Sequence, residues 1–165
     1  MRRAGIKAVY FANIDRKDFL IPPFAFLYIY IVIAAPLGLP AVTEQEFFRS
    51  EAFSWVGVFL CGLGLVLFFL SLISFGRSFR VGIDTDHPGK LITTGVFALS
   101  RNPIYVAFWI IMLGQFLIFP NWILLAYLPG AAWLFHRQVL REEDFLRKHY
   151  GQEYVEYCNR VRRYL

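Results

Sequence analysis

A group of side chains that could bind a charged ligand stands where a polar segment of the chain passes into an apolar one. Arg101 carries a permanent positive charge, and Asn102, Pro103 and Tyr105 follow it. Asn is a good N-cap residue, because its side-chain oxygen can accept a free backbone N–H, and Pro fits the first helical position. The sequence therefore predicts a helix that starts at Pro103 with Asn102 as its cap. Because helix N-termini attract anions, this helix start and Arg101 together favour an anionic group.

Two adjacent carboxylates, Glu142 and Glu143, lie in a later segment that becomes highly charged after His136. They could hold a cation or hydroxyl groups, and aromatic faces could add to the binding of a cation. The aromatic candidates are Phe97, Tyr105, Phe108, Trp109 and Tyr150. A zwitterionic ligand, with a carboxylate and a cationic centre, would suit this combination of residues.

Each of these features also has an ordinary structural interpretation. Arg-Asn-Pro at a helix start is typical of a headgroup anchor with a cap, and aromatic residues near an interface form the usual belt of membrane proteins. Glu143 could pair with Arg147 one helical turn later. Asp84, Asp86 and His87 lie in a turn-rich segment, where turn chemistry accounts for them and no metal site is predicted. Residue types alone leave a ligand site and a structural role equally open.

The composition indicates a membrane protein. Hydrophobic residues make up 58% and aromatic residues 19% of the 165 residues, whereas a soluble domain is roughly 45–50% apolar. The net charge of +5 would suit a nucleic-acid partner, but the charges cluster beside apolar runs, which is the pattern of membrane proteins. Cys61 and Cys158 would lie at different depths, so neither a disulfide framework nor a metal site is predicted.

Four apolar runs, at 19–39, 52–75, 103–119 and 122–135, would position the candidate residues. The second run has no charge and is long enough to cross a bilayer, which takes roughly 20 residues. Pro36 would kink or end the first helix, and Pro129-Gly130 would interrupt the fourth run. Pro120-Asn121 leave so short a link that the third and fourth helices must form an antiparallel hairpin.

The predicted fold is thus an all-α integral membrane protein with about four transmembrane helices, a cytoplasmic loop and a C-terminal amphipathic helical segment. Gly57, Gly62 and Gly64 would allow close helix packing, and Gly151 would break the C-terminal segment. Two β-prone pieces, at 79–83 and 90–94, indicate a small hairpin or an irregular loop. We treat 1–165 as a single membrane domain, with an N-terminal part at 1–75 and the half with the candidate site at 76–165.

The basic residues predict the orientation in the membrane. Of the 17 Lys and Arg residues, only Arg49 falls in a loop on the side opposite the N-terminus, and four crossings place all the others on one face. Because positive loops face the cytoplasm, both termini and the candidate site are expected there. In the antiparallel hairpin, Arg101, Asn102 and Tyr105 would lie beside residues 136–143.

Two motifs resemble those of known membrane enzymes. Gly95-Val96-Phe97, followed by Arg101-Asn102-Pro103-Ile104-Tyr105, resembles the Gly-x-Tyr…Arg-His/Asn-Pro-x-Tyr motif of the isoprenylcysteine carboxyl methyltransferase and phospholipid methyltransferase families. The tail, from Glu142-Glu143-x-Phe145 through Tyr150-Gly151-x-Glu153-Tyr154-x-x-Tyr157 to Val161, is similar to their second signature. Both motifs occur in order with a helical hairpin between them, and the resemblance covers about residues 74–165.

The resemblance implies a methyltransferase that binds S-adenosylmethionine at the cytoplasmic face without a Rossmann domain. The chain indeed contains no Gly-x-Gly-x-x-Gly fingerprint. The cofactor residues implied by the resemblance are Gly89, Lys90, Leu91, Ile92, Phe97, Asn102, Pro103, Ile104, Tyr105 and Glu142. Arg101 and Glu142 would be catalytic, and Arg137, Gln138 and Arg141 would lie near the substrate.

Three departures from the family pattern bear on the methyl acceptor. Phe97 replaces a tyrosine, Asn102 replaces the histidine of the strict isoprenylcysteine enzymes, and Gln138 stands where those enzymes have an arginine. We expect a lipid or lipidated acceptor, methylated on a carboxylate as in the isoprenylcysteine enzymes. A phospholipid amine, an isoprenoid or a small thiol is the alternative, and a non-enzymatic membrane scaffold is the alternative of another class. A carboxylate needs no general base, whereas an amine or thiol needs deprotonation; Glu142, His136 or His149 could assist, although a structural role is the favoured interpretation of each.

Overall fold

A computed structural model of the protein describes residues 21–34, 37–39, 47, 50–75 and 91–165. The elements in these ranges are α1 (Ile21–Ala34), α2 (Glu51–Phe75), a 3-10 helix (Gly95–Ala98), α3 (Pro103–Ile118), α4 (Trp122–Tyr150) and α5 (Gln152–Arg160). The all-α prediction is confirmed for this part of the chain. The β-prone piece at 79–83 lies outside the described residues, and residues 91–94 form no strand.

One described helix, at Glu51–Ser74, is both long and apolar enough to cross a membrane. α1 has 14 residues and α3 has 16. At 1.5 Å per residue, 16 residues span about 24 Å, less than the roughly 30 Å of a bilayer's hydrocarbon core. The prediction of four crossings therefore stays a prediction.

Glycines allow α2 and α3 to pack backbone against backbone. A Cβ atom on Gly57 would lie 2.5 Å from the Gly114 carbonyl oxygen, and one on Gly64 would lie 2.6 Å from Ile111 Cγ1. The predicted close packing is confirmed at these two glycines. It is wrong for Gly62, because a Cβ atom there would meet nothing within 4 Å.

α3 and α4 form the predicted antiparallel hairpin. The Asn121 side chain caps α4 by accepting a hydrogen bond of 2.9 Å from the Leu124 backbone N–H. Met112 of α3 and Tyr127 of α4 share a buried cluster with Ile31 of α1, and the rings of Tyr28 and Tyr127 lie 5.8 Å apart. α1 thus packs against the middle of the hairpin, away from the start of α3.

α4 continues through Pro129, so the predicted interruption of the fourth run is wrong. The helix extends from the apolar residues at 122–135 into the charged segment and ends only at Tyr150. Proline removes one backbone donor and crowds the carbonyl of residue i−4, which here belongs to Leu125. Helices of membrane proteins tolerate proline because neighbouring groups and local adjustments of the backbone satisfy the freed carbonyl.

Gly151 ends α4 as predicted. Its φ of 53° and ψ of −123° belong to a region of backbone space that is essentially restricted to glycine. α5 then starts at Gln152 and buries Tyr154 and Tyr157. The turn folds the C-terminal residues back towards the start of α3.

Candidate active site

Three polar side chains meet where α3 begins. Tyr105 donates a hydrogen bond of 2.7 Å to Glu142 Oε1, and Gln138 Nε2 donates one of 3.0 Å to the same oxygen. Gln138 and Glu142 are one turn apart on α4, whereas Tyr105 comes from α3. We call these three residues the polar cluster. The predicted neighbourhood of Tyr105 and Glu142 is confirmed.

Aromatic rings lie beside the polar cluster. The rings of Tyr105 and Phe135 are 5.7 Å apart, and those of Phe108 and Phe135 are 5.9 Å apart. Phe108 also lies 5.4 Å from the ring of Phe68 on α2. The carboxylate of Glu142, through its contact with Tyr105, therefore adjoins a group of packed aromatic rings, and a carboxylate near aromatic rings suits a cation.

The environment of Glu142 changes its acidity. Burial raises the pKa of the Glu142 carboxyl, and the hydrogen bonds from Tyr105 and Gln138 lower it but offset only part of the increase. Both hydrogen bonds end on Oε1. Among the described residues, no such donor reaches Oε2, so this oxygen keeps its capacity to accept a hydrogen bond or to pair with a cation.

Asn102 does not cap α3 with its side chain, so that prediction is wrong. Its Nδ2 donates to Glu143 Oε1 at 3.3 Å and to the Arg163 carbonyl oxygen at 3.1 Å. The Asn102 backbone N–H instead donates to Ser100 Oγ at 3.1 Å. The buried carboxylate of Glu143 needs hydrogen-bond donors. The Asn102 side chain donates to this carboxylate and does not cap α3. Pro103 does occupy the first turn as predicted.

Glu143 forms a buried ionic cluster rather than the pair with Arg147. Arg163 Nη2 lies 2.8 Å and Arg101 Nη2 lies 3.4 Å from the Glu143 carboxylate, and the Glu143 side chain is only 6% exposed. Arg101 also contacts the Cys158 thiol through Nη1. The (i, i+4) pair of this segment is Asp144 with Lys148, at 2.6 Å on the surface.

The other predicted site residues are distributed around this centre. Phe97 is buried, and its carbonyl oxygen accepts a hydrogen bond of 2.6 Å from Tyr157. Arg137 lies 5.7 Å from the ring centroid of Trp133. Leu91, Ile92, Ile104 and Arg141 are partly buried, Pro103 is buried, and Gly89 and Lys90 lie outside the described residues.

The two histidines proposed as bases also have aromatic neighbours. His136 Nδ1 lies 2.9 Å from the Tyr164 hydroxyl, and the ring of His149 stacks on Phe145 with a centroid distance of 6.0 Å. These contacts do not bring either histidine to the polar cluster.

Arg163 is the residue that sequence reasoning missed. Its partners are Glu143 on α4 and Asn102, which directly precedes α3. The only signal for Arg163 in the sequence was the group of basic residues at 160–163. The predicted topology already accounted for these residues as part of the positively charged cytoplasmic side.

Comparison with known proteins identifies the family. The profile of the family described as phospholipid methyltransferase matches residues 52–153, which include α2, α3, α4 and the whole polar cluster. The chain belongs to the phospholipid methyltransferase family. The family resemblance of the two sequence motifs is thereby confirmed.

Relatives of this family member include isoprenylcysteine enzymes. A probable protein-S-isoprenylcysteine O-methyltransferase of Oryza sativa subsp. indica is 34% identical over 113 residues, which are 66% of this chain and 58% of the relative. Protein-S-isoprenylcysteine O-methyltransferase B of Arabidopsis thaliana is 31% identical over 130 residues, which are 74% of this chain and 66% of the relative. The chain thus spans less than two thirds of the length of either relative.

A solved structure shares the fold of this phospholipid methyltransferase family member. The eukaryotic intramembrane Ras methyltransferase, an isoprenylcysteine carboxyl methyltransferase, matches it with a TM-score of 0.59 at 23% identity. The match covers 92% of this chain and 53% of the other. The all-helical fold is therefore that of an intramembrane protein.

Proposed function

We propose that the chain transfers a methyl group from S-adenosylmethionine to a lipid or lipidated acceptor, in the manner of the isoprenylcysteine O-methyltransferases. The observation that carries this proposal is the polar cluster, in which Tyr105 and Gln138 hold the Glu142 carboxylate beside the rings of Phe135 and Phe108. The family membership and the isoprenylcysteine methyltransferase relatives support it.

The residues present fit this cofactor. S-adenosylmethionine, when bound, supplies an electrophilic methyl group on a sulfonium that also bears an amino-acid end. Glu142 Oε2 and the neighbouring rings would hold the positive centre. Arg163 pairs closely with the single carboxylate of Glu143, at 2.8 Å, whereas Arg101 lies 3.4 Å away, so the positive charge of Arg101 would remain for an anionic group.

The chain's own groups would act mainly by positioning. Tyr105 and Gln138 fix the orientation of Glu142, and the apolar surfaces of α2 and α3 exclude water, which strengthens charge interactions at the site. A carboxylate acceptor would need no base. For an amine acceptor, the raised pKa of Glu142 would make this carboxylate a stronger base than one in water.

The proposed topology has four crossings, with both termini and the polar cluster on the cytoplasmic side. The basic residues of the N-terminal, connecting and C-terminal segments support it. A lipid acceptor would then approach from the bilayer, while the cofactor would approach from the cytoplasm.

Binding is the first test of the proposal. Detergent-purified chain should bind S-adenosylmethionine in calorimetry, and Glu142→Gln should weaken this binding about tenfold, because it removes the charge that faces the sulfonium. Asp144→Asn is the matched control, since Asp144 lies on the exposed side of the same helix and pairs with Lys148. Absence of binding by the unmodified chain would favour a non-enzymatic membrane scaffold.

The acceptor is the second test. A labelled methyl group should appear on a farnesylated cysteine that has a free carboxylate. The family profile, described as phospholipid methyltransferase, favours one rival, a phospholipid amine. Labelling of phosphatidylethanolamine vesicles, without labelling of the prenylated cysteine, would establish that rival and exclude the carboxylate acceptor.

A further inference from the structure

The C-terminal segment, which we define as residues 161–165, is hydrogen-bonded to the segment that precedes α3. The Arg101 backbone N–H donates to the Arg162 carbonyl oxygen at 3.0 Å. Ser100 Oγ and Asn102 Nδ2 both donate to the Arg163 carbonyl oxygen, at 3.3 and 3.1 Å. Three consecutive residues before α3 are therefore held by two consecutive carbonyls.

The Arg163 side chain connects the same segment to α4. Its Nε and Nη2 lie 3.0 and 2.8 Å from Glu143 Oε2, and Asn102 Nδ2 lies 3.3 Å from Glu143 Oε1. Arg163, Glu143 and Asn102 thus form a closed ring of contacts. The ring joins the start of α3, the last third of α4 and the C-terminal segment.

The position of this ring connects it to the polar cluster. Asn102 directly precedes α3, and its carbonyl oxygen accepts hydrogen bonds from the backbone N–H groups of Tyr105 and Val106, at 3.1 and 3.2 Å. A shift of Asn102 would therefore carry the Tyr105 hydroxyl with it. On α4, Glu143 directly follows Glu142, which is the acceptor of that hydroxyl.

We propose that Arg163 is a positioning residue of the donor site, which acts through Asn102 and Glu143 to hold Tyr105 against Glu142. This inference rests on the proposed function, because it assigns a role in binding S-adenosylmethionine. The planar guanidinium of Arg163 donates two hydrogen bonds to the Glu143 carboxylate, and the ammonium group of a lysine reproduces this geometry poorly. The C-terminal segment is thus part of the donor site's support.

The neighbouring arginine offers a matched control. Arg162 is exposed, and its backbone carbonyl, rather than its side chain, meets Arg101. Arg162→Ala therefore removes the same charge one residue away and leaves the backbone contact in place. Arg163→Ala should weaken S-adenosylmethionine binding about tenfold, whereas Arg162→Ala should leave it unchanged within twofold.

Chemical rescue and kinetics separate positioning from general loss of structure. Binding is measured by calorimetry on the detergent-purified full chain, well below the Tm of each variant. Free guanidinium, at concentrations far below denaturing ones, should restore much of the affinity of Arg163→Ala and should not affect the unmodified chain. Arg163→Lys, which keeps the charge, should bind with intermediate affinity. In methyl transfer, Arg163→Ala should raise KM for the donor and leave KM for the acceptor unchanged.

The outcomes distinguish the two proposals. If the unmodified chain does not bind S-adenosylmethionine, the proposed function fails and the role of Arg163 fails with it. If the unmodified chain binds and Arg163→Ala binds equally well, only the positioning role is overturned. A lower Tm with unchanged affinity would make Arg163 a structural residue. Equal loss for Arg162→Ala and Arg163→Ala would indicate a general effect of charge and would also overturn the inference.

Discussion

Glu142 and Glu143 are adjacent in the sequence but take different partners. Glu142 accepts hydrogen bonds from neutral donors, Tyr105 and Gln138, whereas Glu143 is neutralised by Arg163 and Arg101. A buried carboxylate without a cation has a raised pKa, because burial favours the uncharged form. One carboxylate is thereby available for a bound cation, and the other holds structural elements together.

The pKa of Glu142 leads to a prediction about stability and pH. Its pKa is raised above the ordinary 4.5, so above that pH the folded chain holds a proton that the unfolded chain has lost. Linkage then requires the free energy of unfolding to fall as pH rises through the folded pKa. Glu142→Gln lacks this titration, so its Tm relative to the unmodified chain should increase from about pH 5 to about pH 8.

Thermal unfolding of the detergent-purified chain across this pH range measures the difference. Asp144→Asn removes one carboxylate from the exposed side of α4 and serves as the control. A Tm difference for Glu142→Gln that stays constant with pH would contradict the raised pKa.

Sequence reasoning located the polar cluster because Tyr105 and Glu142 belong to the two motifs and a short link fixes the hairpin. It did not predict the partners that Asn102 and Glu143 take in the structure. Asn at a helix start is a good cap, but here the demand of buried Glu143 for donors takes precedence. The partner that completes the ring, Arg163, comes from the C-terminal segment, and nothing in local spacing indicates a contact between elements so far apart in the chain.

At the scale of helices, glycine positions distinguish close contacts from open surface. Gly57→Ala would place a methyl group 2.5 Å from the Gly114 carbonyl oxygen and force α2 away from α3. We expect this variant to lose about 1–3 kcal/mol of stability. Gly62→Ala, on the same helix, meets nothing within 4 Å and should be neutral or stabilising, because alanine favours helix formation.

The two variants are compared by thermal unfolding in the same detergent. Both variants replace glycine by alanine within α2, so they share the same change in helix propensity. Only Gly57→Ala also introduces a contact with α3, so the difference in Tm between the two variants reports on that contact. Equal Tm values for Gly57→Ala and Gly62→Ala would show that the α2–α3 contact does not depend on Gly57.

The sequence predicts a helix boundary correctly where a single glycine or proline determines that boundary. Gly151 ends α4, and Pro103 lies in the first turn of α3. Pro129 was misinterpreted because its effect depends on whether neighbouring groups and local adjustments of the backbone satisfy the freed carbonyl. A single sequence does not reveal those contacts.

At the scale of the whole molecule, α2 exposes large apolar side chains over much of its length. Trp55 is 66% exposed, Phe59 69%, Phe69 58% and Ile73 73%. Water would make such a surface costly, whereas lipid tails would cover it. This surface and the shared fold of an intramembrane methyltransferase agree with the apolar composition.

The proposed orientation can be tested with a membrane-impermeant thiol reagent. A Glu153→Cys variant, at an exposed position of α5, should react only after the cells are opened, because the C-terminal segment is expected in the cytoplasm. A Glu44→Cys variant should react in intact cells. The unmodified chain, with Cys61 and Cys158 partly buried, provides the background. Labelling of Glu153→Cys in intact cells would contradict the orientation.

The contacts between the C-terminal segment and the start of α3 also set an order of events during synthesis. Ser100 and Arg163 are 63 residues apart, which a ribosome adds in about 3–13 s. During that interval, Arg101 and Asn102 lack the contacts that they make with residues 162–163. The ring of Arg163, Glu143 and Asn102 is therefore completed only after α3 and α4 have been synthesised.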